Sequence, residues 1–155
     1  MNTTYTSDIV DILDKASKRI VGVDLTYSGL LFPQEAYQLL RQLGHARLVD
    51  VRTRAELDWV GRVPGAIEIE FKHYPGMQNN PNFMIELEAR VNKSDLLLFI
   101  CRSGQRSSKA AEMATMSGYE RCYNVLEGFE GDRDTNNQRG HRGGWRMAGL
   151  PWEQS

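Results

Sequence analysis

The sequence predicts one α/β domain, a central and mainly parallel β-sheet with helices on both faces. Three observations carry this. Short apolar runs alternate along the chain with segments that have helical caps and helical apolar spacing, so successive strands need crossover connections. One run, DLLLFI at 95–100, is apolar almost throughout, as befits a strand buried on both sides in the middle of such a sheet. The length, 155 residues, suits a single domain, which at this size buries roughly 70% of its unfolded surface and needs no disulfide or metal to fold.

The first element expected is a helix over about Asp8–Arg19. Ser7 is placed to cap it, Ile9, Val10, Ile12, Leu13 and Ala16 share one face, and Lys18 and Arg19 fall on the solvated side. The segment VGVDLTYSGLLF shows little pattern and reads as a connector. Pro33 stands where a first helical residue should, and PQEAYQLLRQL runs to the stop at Gly44. Ala46–Val51 is a short strand. Thr53 and Glu56 form a capping box that opens the next helix. GRVPGA is a turn, AIEIEF a strand and KHYPGMQNN a loop, and Pro81 opens a helix that continues to about Val91. After DLLLFI, the loop CRSGQR leads into the helix SSKAAEMATMSGY, with Gly118 near its stop. RCYNVL is the last strand, followed by a polar, glycine-rich stretch. In a parallel sheet ligands gather beyond the carboxyl ends of the strands. The loops that begin at Val51, Phe71, Cys101 and Leu126 should therefore share one edge and hold the chemistry.

Composition excludes several classes. Nineteen basic residues balance twenty acidic ones, for a net charge of −1, so no global basic field for nucleic acid exists. Charged residues at 25% and hydrophobic residues at 41% describe a globule and not a disordered chain. No apolar run approaches the roughly 18 residues of a membrane span, and MNTTYTSDIVDILDKASKRI lacks the apolar core of a secretory signal. A monomer in the cytoplasm, with no membrane partner, is expected. Cys101 and Cys122 are too few for a disulfide framework, and both should be reduced. His45, His73 and His141 lie far apart and no CxxC or HxxxH spacing occurs, so neither a metal nor a cofactor is expected.

The chemistry should lie in LLLFICRSGQRSSKAA, 96–111. A buried strand delivers Cys101 to its exposed end, Gly104 permits a tight turn, and a helix begins near Arg106 or Ser107. Loop amides and the helix amino terminus would then surround the sulfur as an anion nest. Arg102, Arg106 and Lys109 add cations, with no acid before Glu112. Each effect favours thiolate over thiol and attracts an anionic substrate. Cys122, inside RCYNVL, has no such surroundings and reads as a core residue.

CRSGQRS resembles the active-site loop of the rhodanese family of sulfurtransferases. LVDVRTRAELDWVGRVPGA is similar to that family's D-V-R-x-x-x-E stretch and the G-H-I-P-G-A turn after it. NVLEGFEG and GWRMAGLPW resemble its last strand and closing segment, so the likeness runs from about Phe32 to Trp152. The resemblance implies a rhodanese-like domain at 31–155, with 1–30 as a helical extension packed on it. It implies that Cys101 takes a sulfane sulfur from a small anionic donor such as thiosulfate. The sulfur then passes to cyanide, a thiol or a protein acceptor. Arg102, Ser103, Gly104, Gln105, Arg106 and Ser107 would bind substrate, and Asp50, Arg52 and Glu56 would brace the site from below. Arg62 replaces the histidine of the turn and reads as structural. Trp59, Trp145 and Trp152 read as core or rim packing. A polar insert, about Gly131–Gly143, interrupts the closing motif. Arg133, Arg139 and Arg142 lie in it and nothing in it looks able to anchor a core, so it should be a mobile basic flank that limits what reaches the sulfur. Two other functions remain open. One is a non-catalytic interaction module. The other is a cysteine phosphatase or arsenate reductase, although those use C-x5-R and this loop is C-x4-R.

Overall fold

The computed structural model describes residues 5–155. Five parallel strands form one sheet, with helices on both sides. In chain order the elements are α1 (Ser7–Lys18), β1 (Gly29–Leu31), α2 (Pro33–Gln42), β2 (Ala46–Asp50), α3 (Arg54–Trp59), β3 (Ile67–Glu68), β4 (Lys72–His73), β5 (Gln78–Asn79), α4 (Phe83–Glu88), β6 (Leu96–Ile100), α5 (Gln105–Met116) and β7 (Arg121–Val125). The sheet order is β1-β7-β6-β2-β3, which puts β6 at the centre, and β4 and β5 form a separate antiparallel pair.

Every residue of β6 is buried. Because side chains alternate across a strand, Leu96, Leu98 and Ile100 meet one core layer, with Ile9, Ile12 and Ala16 of α1 and Leu39 of α2. Leu97, Phe99 and Cys101 meet the other, with Leu87 of α4 and Ala110, Ala111 and Ala114 of α5. The run LLLFI is apolar throughout because it serves both layers.

Several boundaries differ from expectation. Helix α1 is capped by Thr6, whose Oγ1 accepts from the Ile9 amide at 3.4 Å, and Ser7 is its first helical residue. Arg19 is not solvated. Its guanidinium holds Glu35 at 2.6 and 3.0 Å, donates to the Leu30 carbonyl and lies over the Phe32 ring, clamping α1 to α2. The connector contains β1, whose three residues are too few to show a period, pairing in parallel with β7. Of AIEIEF only Ile67–Glu68 form a regular strand, and beyond it the Ile69 and Phe71 amides still donate to the Asp50 and Val51 carbonyls at 3.0 and 3.1 Å. The 72–80 loop contains the β4–β5 hairpin, and α4 starts at Phe83, not Pro81. Trp59 is 77% exposed and packs in no core, whereas Trp145 is fully buried and donates its indole N–H to the Pro151 carbonyl at 2.8 Å. Arg62 is structural, paired with Asp58 and Glu68. Among the described residues no helix is long and apolar enough to cross a membrane.

Candidate active site

Cys101 directly follows β6 and starts the loop into α5. Its sulfur is not displayed at an exposed end: the residue is only 1% exposed. The Gly104 amide donates to Sγ at 3.1 Å, and Ser107 Oγ lies 3.1 Å away, so both draw the sulfur beneath the first turn of α5. Gly104 is the N-cap of α5 with φ 110°, a left-handed conformation that side chains resist, and the turn it makes aims its N–H at the sulfur. Among the described residues Gly104 is the one backbone amide that donates to Sγ, so the expected ring of amides reduces to one amide and one hydroxyl.

Asn124, on β7, is a residue that sequence reasoning missed. Its Nδ2 donates to the Gly104 carbonyl at 3.1 Å, which fixes the amide orientation, and its Oδ1 accepts from Ser107 Oγ at 2.6 Å. The Ser107 hydroxyl has one proton and Asn124 holds it. The hydroxyl oxygen faces Cys101 Sγ across 3.1 Å. A sulfur anion here would need Ser107 to turn its proton from Asn124 to the sulfur. A polar residue inside an apolar strand was the signal: Asn124 is only 4% exposed.

The turn after β7 holds the loop from the other side. The Phe129 amide donates to the Cys101 carbonyl at 2.8 Å and the Glu130 amide to the Arg102 carbonyl at 3.0 Å. Gly128 touches the same peptide: a Cβ there would lie 2.5 Å from the Cys101 carbonyl oxygen and 2.6 Å from the Arg102 carbonyl carbon.

The expected brace of Asp50, Arg52 and Glu56 divides in two. Asp50 and Arg52 are fully buried together, with Nη2 at 2.7 Å from Oδ2 and a further donation to the Gly61 carbonyl at 3.0 Å. The Phe129 ring covers the guanidinium at 4.0 Å, and Nη1 has no partner. Glu56 instead receives both Arg106 nitrogens, at 2.8 and 2.9 Å. The charge of Arg106 is thus neutralised and ties α5 to α3. Lys109 faces a different groove, with Phe71 and Met84. Of the three expected cations only Arg102 is exposed at the loop and without a carboxylate partner. Ser103 and Gln105 face the 131–143 segment.

Burial pushes the Glu56 carboxyl up, but the Arg106 hydrogen bonds and charge, with the Thr53 donors, outweigh it and bring it down to about 2. A depressed carboxyl contributes stability that is present above its unfolded value and is lost as pH falls through the folded one. Glu56 should therefore add stability above about pH 4.5, and that share should disappear between there and about pH 2. Glu56→Gln should flatten this part of the stability–pH profile in urea unfolding. An unchanged profile would mean the pair contributes nothing.

Cys122 is fully buried, and burial pushes its thiol up to about 11, so it stays protonated at neutral pH. Both cysteines are free. No cluster of metal-ligating side chains occurs among the described residues.

The 131–143 segment carries hydrogen bonds of its own, and its Gly140 amide donates to the Glu130 carbonyl at 2.9 Å. Asp134 accepts from the amides of Asn136 and Gln138 and pairs with His141, and Arg139 donates to the Gly131 carbonyl at 2.8 Å.

Several known proteins are similar to this chain. An uncharacterized protein of Rickettsia conorii is 39% identical over 121 residues, 77% of this chain and 92% of its own length. A protein of Arabidopsis thaliana named thiosulfate sulfurtransferase 16, chloroplastic, is 32% identical over 110 residues, 70% of this chain and 79% of its own. The crystal structure of Rv0390 from M. tuberculosis superposes with a TM-score of 0.77 at 40% identity, covering 84% of this chain and 100% of that one. The model of the rhodanese-like domain matches residues 32–134, from the start of α2 through the turn that holds the cysteine loop. The chain belongs to the rhodanese-like domain family.

Proposed function

We propose that the protein is a sulfurtransferase that carries a sulfane sulfur on Cys101, loaded from a thiosulfate-type donor and discharged to cyanide or a thiol. The observation that carries this reading is the place of the sulfur, at the carboxyl end of the central strand, under the amino terminus of α5, with the Gly104 amide aimed at it. The Cys101 thiolate attacks the outer sulfur of thiosulfate. A bond forms between Sγ and that sulfur, the sulfur–sulfur bond of the donor breaks, and its electron pair leaves on sulfite. The product is a persulfide anion, which the Gly104 amide and the Ser107 hydroxyl can solvate once Ser107 turns. An acceptor anion then takes the outer sulfur and the thiolate returns. No general base is required, only the thiolate and a stable leaving group.

Cys101→Ser should abolish thiocyanate formation from thiosulfate and cyanide, while Cys122→Ser should keep most of it. Equal activity in the two variants would defeat the assignment. The phosphatase reading is disfavoured, because Arg106, the arginine that would clamp a phosphoryl group, is spent on Glu56.

Arg102 is proposed to meet the donor anion. Its side chain is exposed beside the loop and among the described residues has no carboxylate partner, so Arg102→Ala should raise the KM for thiosulfate about 3–10-fold at low salt, with kcat little changed. High salt should shrink the difference. An unchanged KM at low salt would remove Arg102 from substrate binding.

A further inference from the structure

The loop 101–106 is a crest between two unlike hollows. Arg102 and Arg106 line one, about 400 Å³, whose other wall is Trp59, Val60, Tyr74 and Met77. Ser103 and Gln105 line the other, about 350 Å³, with Asp132, Asp134, Arg133, Arg139 and Arg142 from the insert. The first is mostly apolar on its Trp59 wall, and the second is polar, with three arginines against two aspartates.

The large aromatic side chains of the first wall stand exposed, and of the second wall's arginines Arg139 and Arg142 hold the Gly131 and Arg133 carbonyls. Trp59 is 77% exposed and Tyr74 60%, both beside the loop that holds the sulfur. Among the described residues Arg102, Arg133, Arg139 and Arg142 form no ion pair with a carboxylate, in common with Arg41, Arg90 and Arg121 elsewhere, whereas the other seven arginines do. Burial, then the charge of Arg102 with a smaller share from Arg133, push the Arg139 guanidinium below its ordinary value against the opposing charges of Glu130 and Asp132. In a chain of net charge −1, this is a local excess of positive charge at one edge of the sheet.

We propose that the two hollows together dock a protein sulfur acceptor whose thiol is flanked by acidic side chains on one side and apolar side chains on the other. This deepens the sulfur-transfer reading and rests on it. Cyanide or a small thiol would occupy neither hollow. A segment of polypeptide laid across the crest would put its cysteine over Cys101, its carboxylates against Arg133 and Arg142, and an apolar side chain against Trp59. Asp132, within the second hollow, favours a peptide over a polyphosphate, because its oxygens accept peptide N–H groups and repel phosphate. In transfer, the acceptor thiolate bonds to the outer sulfur of the persulfide. The bond from that sulfur to Cys101 Sγ breaks, and its electron pair returns to Sγ.

The test uses synthetic peptides with glutamates on one side of a central cysteine and leucine and phenylalanine on the other, against versions with lysines for the glutamates. In the binding arm serine replaces the cysteine and the protein carries no sulfur, so fluorescence anisotropy reads docking alone. The acidic peptide should bind at least about tenfold more tightly than the lysine peptide at low salt, and the gap should close at high salt. Arg133→Gln with Arg142→Gln should remove most of that gap, and Trp59→Ala should weaken the acidic peptide about threefold. None of these should change thiocyanate formation with cyanide. In the transfer arm, the cysteine peptides should unload the persulfide in the same order. Equal binding of the two peptides would overturn the proposal, as would inorganic polyphosphate binding more tightly than the acidic peptide. Selective binding by a protein whose Cys101 never loads sulfur would keep the docking surface and overturn the sulfur-transfer reading instead.

Discussion

Arg52→Met should cost about 3–5 kcal/mol of folding stability, read as a fall in the urea midpoint and a Tm lower by roughly 10 °C. The Asp50 carboxylate is fully buried, and apart from the Arg52 amide at 3.1 Å its hydrogen bonds come from the Arg52 guanidinium. Removing the guanidinium strands that charge away from water, and it also leaves the Gly61 carbonyl without this donor. Adding Asp50→Leu should recover at least half the loss, because an apolar pair in a buried site avoids the cost of desolvating two ions. If the double variant were no better than the single one, the site would be demanding the ions themselves. The pair stands at the end of β2, beside the central strand that leads into Cys101, so the single variant should also lower sulfur loading at temperatures where it is still folded.

Gly128→Ala should cut transfer activity by about a hundredfold or more while the protein remains folded. The added Cβ would lie 2.5 Å from the Cys101 carbonyl oxygen, against backbone that has no rotamer to change, and φ at this residue is 62°. Either the 127–131 turn or the cysteine loop must move. In both cases the bonds from the Phe129 and Glu130 amides to the loop carbonyls lengthen. A displacement of about 1 Å at a reacting centre is enough for a loss of this size. Steady-state activity and a thermal melt separate the outcomes: near wild-type activity would show that the loop tolerates the shift, and an unfolded variant would show that Gly128 serves the fold first.

The sheet and its central strand were legible in the sequence because periodicity and burial act over five or six adjacent residues, as in DLLLFI. The capping box of Thr53 and Glu56 was legible for the same local reason, and it forms as expected, with Thr53 Oγ1 accepting from the Glu56 amide at 3.2 Å. Short pairings such as β1 and the β4–β5 hairpin were not, since two or three residues carry no period. The cysteine loop could be placed from its glycine and its strand–loop–helix context, but its electrostatics could not. The partners that decide them are distant in sequence: Glu56 neutralises Arg106 from 50 positions away, and Asn124 claims the Ser107 proton from 17. Counting cations near Cys101 along the chain therefore overstated the local positive charge. Arg19 fails in the same way, since only the fold brings Glu35 to it.

The most direct test of the central claim is the mass of the protein after thiosulfate treatment under non-reducing conditions. Wild type should gain about 32 Da, one sulfur atom, on the peptide that contains Cys101, and should lose it on adding cyanide with release of thiocyanate. An unmodified Cys101 peptide, or a label on Cys122, would contradict it.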